Sequence, residues 1–241
     1  MVALLLVVGL TAAETIGSQD TVRAIIQRGI DAQGGEAQIA KLSRPWRAKV
    51  RGKAGMLDIG GEILQQSETK TRISTVLRVG PVPLEVVAVM NGDKAWKRIG
   101  GFTSEVSGKD LAEMQDGGYR HRVRNLVPLL HGPGYQLTLL PQITVSDRPA
   151  VGIRIQSKGH RDVDLYFDNG SGLVVKTESR VYPPGKSEVV LENVLSEFRD
   201  FDGLKFATKY TKYENHKLTS VEEYVDLTFG AHIDDREFEK P

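Results

Sequence analysis

Five histidines, at positions 121, 131, 160, 216 and 232, are the first candidates for chemistry in this 241-residue chain. None lies in an H-E-x-x-H run, and no cysteine exists to complete a zinc site. His160 and His216 fall beside turns, where a solvated histidine is expected. No G-x-S-x-G elbow occurs, so serine acyl transfer lacks its signature. Glycine pairs stand at Gly34-Gly35, Gly60-Gly61, Gly100-Gly101 and Gly117-Gly118, but none forms a phosphate-cradling G-x-G-x-x-G between strand and helix. Gly60-Gly61 reads as a bulge or bend inside a strand. Asp162, Asp164 and Asp168 could hold a cation or do acid–base work. The preferred reading is a solvated strand edge ending in an Asx turn. Asp234-Asp235 reads as the cap of a last turn over 235–240. The residues therefore predict no enzyme, no catalytic group, no metal and no cofactor. One charged set remains. Arg120, Arg122 and Arg124 read as the wet face of a helix, or as a docking patch for an acidic partner or lipid head groups.

Bulk properties narrow the class. The formal net charge of +1 argues against nucleic acid as a partner, since phosphate binding needs a basic excess. The length suits one domain with a sizeable core, and a monomer is expected. Val2 to Leu10 is almost wholly apolar, and Thr11-Ala-Ala13 supplies small residues for cleavage. Residues 1–13 are read as a signal peptide and 14–241 as the mature domain, although no Lys or Arg precedes the apolar run. The run is too short for a span, which needs about 20 apolar residues. With no cysteine for disulfides or acylation, an exported chain is expected to be soluble in the periplasm rather than anchored. The alternative reading of the run is a buried strand or helix.

The elements that must position these residues are mostly strands. Ser18 to Gln33 reads as a helix with Val22, Ile25, Ile26 and Ile30 on one face, closed by Gly34-Gly35. Glu36 to Leu42 adds a short helix. Trp46, Ala48 and Val50 then alternate with Arg47, Lys49 and Arg51. Leu57, Ile59 and Ile63 form the next stripe, followed by Ile73, Thr75, Leu77 and Val79. Leu84 to Met90, which includes Val86, is apolar on both faces apart from Glu85, so cover on both sides is expected. Asn91-Gly92-Asp93 turns the chain into Trp96. A helical insertion follows, opening on a capping box at Ser107–Asp110 and broken at Gly117-Gly118. Tyr119, Val123, Leu126 and Leu130 repeat at helical spacing. From Tyr135 strands resume. Leu165, Phe167, Val221, Val225 and Leu227 are expected to face inward, and Asp164, Lys176, Glu222 and Asp226 outward. The fold class is mainly β (α+β): a curled antiparallel half-barrel of about eleven strands under a helical lid.

The runs LYFDNGSGLVVKTESR (165–180), FRDFDGLKFATKYTKY (198–213) and the closing IDDREFEKP (233–241) together resemble the periplasmic lipoprotein-carrier family of bacteria. Its members include the LolA and LolB carriers and outer-membrane lipoprotein-sorting proteins. The resemblance is specific in the last third and a match of pattern between Trp46 and Tyr135. It implies the same half-barrel and a soluble carrier that binds the acyl chain of a lipoprotein or lipid. It also implies partners such as a membrane transporter or an outer-membrane receptor. Some family members tie lid to sheet with a buried arginine, which spacing does not place here. The alternative is a sensor of envelope stress that binds lipid and a membrane-protein partner. The pattern suits a filled core or a cavity. Glycine interruptions at Gly29, Gly34-Gly35 and Gly117-Gly118, together with the size of the sheet, favour a cavity. Its lining or lid candidates are Val50, Ile59, Ile63, Ile73, Leu77, Val86, Trp96, Tyr119, Val123, Leu126, Leu130, Leu165 and Phe167.

Overall fold

Period-two alternation broken by turn residues produces an antiparallel meander. The computed structural model describes residues 11–79, 82–183 and 185–241. The apolar run Val2–Leu10 lies outside them, and Thr11–Ala13 open the first helix. Six strands come first: β1 (Trp46–Ala54), β2 (Leu57–Ser67), β3 (Lys70–Val79), β4 (Val82–Asn91), β5 (Lys94–Ile99) and β6 (Phe102–Val106). Seven follow the helical insertion: β7 (Tyr135–Val145), β8 (Arg148–Ser157), β9 (Val163–Asp168), β10 (Val174–Val181), β11 (Val189–Phe201), β12 (Leu204–Glu214) and β13 (Lys217–Phe229). They form one 13-stranded sheet in the order β6-β5-β4-β3-β2-β1-β13-β12-β11-β10-β9-β8-β7. The sheet stays open, with β6 and β7 as its edges. It is the expected half-barrel with a helical lid, two strands larger than the spacing suggested. Gly100-Gly101, both at positive φ, make the tight hairpin that creates β6.

The lid is α1 (Thr11–Ala32), α2 (Glu36–Ile39), α3 (Gly108–Val123) and α4 (Val127–His131). Among the described residues no helix is long and apolar enough to cross a membrane. The α3 helix runs unbroken through Gly117-Gly118, and Ser107 caps it without a side-chain hydrogen bond, so the capping box is not made. The chain leaves α3 at Arg124, turns at Leu126 with φ +60°, and restarts as α4 on Pro128. Tyr119, Val123, Leu126 and Leu130 therefore span two helices and their turn, not one continuous face.

Cross-strand partners fix which residues share a face. Trp46 stacks on His121 of α3, so Trp46, Ala48 and Val50 face the lid. Val50 stands opposite Tyr224, which places Tyr224 on that face too. Between Lys49↔Val225 and Arg47↔Thr228 the β13 strand carries one extra residue, and Asp226 sits there at φ +50°. That bulge inverts the expected pattern before it. Val221 and Val225, opposite Lys53 and Lys49, face outward, whereas Glu222, opposite Tyr210, faces the lid. Beyond the bulge Leu227 returns inward as expected. Leu165 and Phe167 face the core, and Asp164 faces outward in a two-point pair with Arg154, both contacts at 2.8 Å.

Candidate functional site

The lid covers only part of the sheet. Val22, Ile26 and Ile30 of α1, Ile39 and Leu42, and Tyr119, Val123, Leu126 and Leu129 pack onto Ile153, Ile155, Val163, Leu165, Phe167 and Leu204. Most of these side chains are fully buried. The void left between Leu42, His121, Arg124, Val174 and Phe206 is about 20 Å³, room for about one water and far short of the roughly 300–1,000 Å³ of a ligand pocket. The candidates Tyr119, Val123, Leu126, Leu165 and Phe167 thus fill a core and line no cavity there. Leu130 is partly buried at its margin. Gly29 belongs to the same packing, since a Cβ on it would lie 2.7 Å from the Phe167 ring. It lets α1 approach the sheet and is not a hinge.

The lid face of β2 to β6 is different. Opposed pairs run across it: Ile63↔Ile73↔Ala88, Gly61↔Thr75↔Val86↔Ile99, and Ile59↔Leu77↔Leu84. Phe102 continues the row beside Ile99. Ile73 is 44% exposed, Ile99 43%, Leu84 36% and Phe102 86%. Ile59, Ile63, Leu77 and Val86 are half-buried beside them. This is a contiguous, largely uncovered apolar trough, about 13 Å long from Leu84 to Ala88 at roughly 3.3 Å per residue, and it closes toward Met90, which is buried. Of the expected lining residues, Ile59, Ile63, Ile73, Leu77 and Val86 meet here. Val50 stays between the two regions beside Tyr224.

Two-sided cover of β4 is reached only at its Met90 end, where Met90 on the lid face is buried, while Leu84 on that face is open. The outer face is covered throughout Val87–Val89: Phe238, fully buried in the 3-10 turn Asp235–Phe238, packs on Leu64, Val87 and Val89. Asp234 caps that turn through the Arg236 N–H. Trp96 joins this outer cluster, not the trough, because it stands opposite Val89. Pattern alone missed Leu84, Ile99 and Phe102 as trough residues. The Gly100-Gly101 hairpin was the available signal, since it sets Phe102 opposite Ile99.

The arginine set does not form a wet patch. Arg120 pairs with Glu113 at 3.0 Å and Arg122 with Glu68 at 3.1 Å. Arg124 turns inward, donates to the Tyr210 hydroxyl at 2.9 Å and lies over the Phe206 and Tyr210 rings. It ties lid to sheet, the role that the resemblance implied for an arginine without placing it. Beside it His121 lies between Trp46 and the Gln65 amide. Burial, then the Arg124 charge, push the His121 pKa down to about 3, so its ring is neutral. At the other end of α3, Glu113 accepts from Arg161, Arg120 and the Tyr182 N–H. Burial raises its pKa, but these donors outweigh burial and hold it below the ordinary carboxylate range. Asp116 is buried between Arg161 and His160. Asp168 anchors an Asx turn through the Ser171 N–H at 2.6 Å, with Arg148 on the same oxygen. Among the described residues no group of three or more histidines and acids is placed to hold a metal ion.

The fold of this chain recurs in solved structures. A LolA superfamily protein from Nitrosomonas europaea aligns with a TM-score of 0.52 at 11% identity, over 91% of this chain and 97% of its own. The chain has the LolA-like fold. An outer-membrane lipoprotein-sorting protein domain from Vibrio parahaemolyticus matches the LolA-like sheet equally well, at TM-score 0.52 and 10% identity, over 92% and 97% of the two chains. A DUF1329 family protein from Desulfovibrio piger gives 0.51 at 12%, over 90% and 97%. No family model matches the sequence, and no curated protein does. The LolA-like likeness is therefore one of fold alone.

Proposed function

We propose that this chain is a non-enzymatic carrier that holds the acyl chain of a lipid or lipoprotein in the β2–β6 trough. The observation that carries this reading is the uncovered apolar row through Ile59, Ile63, Ile73, Leu77, Leu84, Val86, Ile99 and Phe102. A contiguous apolar face beside a filled core is costly in water unless something occupies it. Each methylene laid against it contributes about 0.8 kcal/mol. An open trough grips along one side only, which favours transfer to an acceptor without unlatching a lid. The apolar run before Thr11-Ala-Ala13 supports export to the periplasm as a single mature domain over 14–241. A membrane transporter and an outer-membrane receptor are the partners such a carrier serves. The test is displacement of a fluorescent fatty acid from the chain carrying Ile73→Asp with Ile99→Asp. At least a ten-fold loss of affinity is expected, with the circular dichroism spectrum unchanged. Undiminished binding in that variant would refute the trough as the site.

A further inference from the structure

One row of opposed residues across the trough ends in a charge. Ile63, Ile73 and Ala88 stand opposite one another on β2, β3 and β4, and Ala88 stands opposite Lys97 on β5. Lys97 in turn stands opposite Ser104 on β6. Its chain neighbours fix its direction. Trp96 belongs to the outer cluster, and Arg98 pairs with Glu85 on the outer face at 3.0 Å. Side chains alternate along a strand, so Lys97 points to the lid face, in line with Ile99. The same alternation puts every other Lys, Arg, Asp and Glu of β2 to β6 on the outer face. Lys97 is half-buried, and among the described residues its ammonium has no hydrogen-bond or ion-pair partner. The trough therefore carries a single unpaired cation, in the row next to its closed Met90 end.

We propose that Lys97 binds the anionic head of the amphiphile whose acyl chain lies in the trough, an inference that rests on the carrier reading. The tail then leaves from the Ala88 row toward Leu84, about 13 Å along β4 at roughly 3.3 Å per residue. A lysine stem lies along apolar neighbours and keeps its ammonium in water. A tail laid beside that stem takes water away from the charge, which is costly while the charge stays unpaired. An anionic head removes that cost, a neutral head leaves it, and a cationic head adds repulsion. One cation with no acid on its face thus makes the trough selective for the sign of the head group.

The test holds the tail constant and changes the head: decanoate, decanol and decyltrimethylammonium each displace the neutral probe N-phenyl-1-naphthylamine at pH 7.5. The wild-type chain is expected to prefer decanoate over decanol by at least five-fold, and decanol over decyltrimethylammonium, with both margins shrinking as salt is raised. Lys97→Gln should erase the order while leaving decanol affinity and the urea midpoint unchanged. Lys97→Arg should keep the order, and Lys97→Glu should reverse it, which a merely structural lysine would not produce. Equal wild-type affinity for decanoate and decanol would overturn the proposal and leave the trough standing. So would a preference for decanoate that survives Lys97→Gln and Lys97→Glu. Ile73→Asp with Ile99→Asp should abolish decanol binding. Decanol bound undiminished by that variant would put the tail elsewhere and overturn the carrier reading in the trough together with this inference. If no decyl compound displaces the probe, both fall.

Discussion

Val123→Asp separates a filled interior from a lipid cavity beneath the lid. Val123 is fully buried at the end of α3 among Tyr119, Leu126 and the β8–β9 side chains. Removing its apolar contacts costs about 1.5–3 kcal/mol. A carboxyl group in that environment stays protonated, and a pKa raised by about three units costs about 4 kcal/mol at pH 7. The sum, roughly 6 kcal/mol, rivals the whole stability of a domain, about 5–15 kcal/mol. Ile73→Asp is the comparator. Ile73 is 44% exposed on the open trough, so its aspartate remains hydrated and the cost is roughly 1 kcal/mol or less. Urea unfolding followed by far-ultraviolet circular dichroism, with fatty-acid binding on the same samples, reads both effects. Val123→Asp is expected to be unfolded or near its midpoint without denaturant. Ile73→Asp is expected to keep a wild-type midpoint and bind less ligand. A Val123→Asp chain with an unchanged midpoint and lost binding would refute the filled core and put the ligand under the lid.

Two glycines that look alike in sequence should behave oppositely. A Cβ on Gly118 would lie 2.3 Å from the Glu68 carbonyl oxygen, whereas one on Gly117 meets nothing nearer than Arg120 at 3.6 Å. Gly118→Ala should destabilise by about 1–3 kcal/mol, and Gly117→Ala should stabilise by about 0.5–1 kcal/mol through helix propensity, both read from urea midpoints. His121 should make stability acid-sensitive. Its folded pKa of about 3 lies below the ordinary 6.5, so the unfolded chain binds the extra proton between those values. Its contribution is complete above pH 6.5 and is lost as pH falls toward 3, by about 2 kcal/mol at pH 5. His121→Gln should flatten the stability profile between pH 7 and 5; an unaltered slope would mean the ring titrates freely in the fold.

Much of the architecture was legible in local pattern. Alternation with Asn-Gly, Asp-Gly and Gly-Gly breaks specified hairpins, because side-chain direction in a strand depends only on parity and turn residues carry their own conformational preference. The helices at Val22–Ile30 and Tyr119–Val123 were legible for the same reason. Parity fails where a residue is inserted. Asp226 adds one position to β13 and sends Val221 and Val225 outward, a shift set by the pairing with β1 and invisible within β13 itself.

The candidate site was legible as chemistry and illegible as place. The sequence by itself determined an apolar interior, since burial requires only residue type and period. It could not decide which apolar face is filled and which is open. Ile73 and Leu165 have the same pattern around them. One lies exposed on the open lid face of β3, and the other on β9 beneath α1 and α3. Likewise Arg122 and Arg124, two positions apart, divide between an ion pair with Glu68 and a tie to Tyr210. Only the tertiary structure settled these assignments, because cover comes from elements distant in the chain: Phe238 on the outer face of Val87 and Val89, and α1 on Phe167. Contacts between segments separated by more than a hundred residues leave no periodic trace in either one.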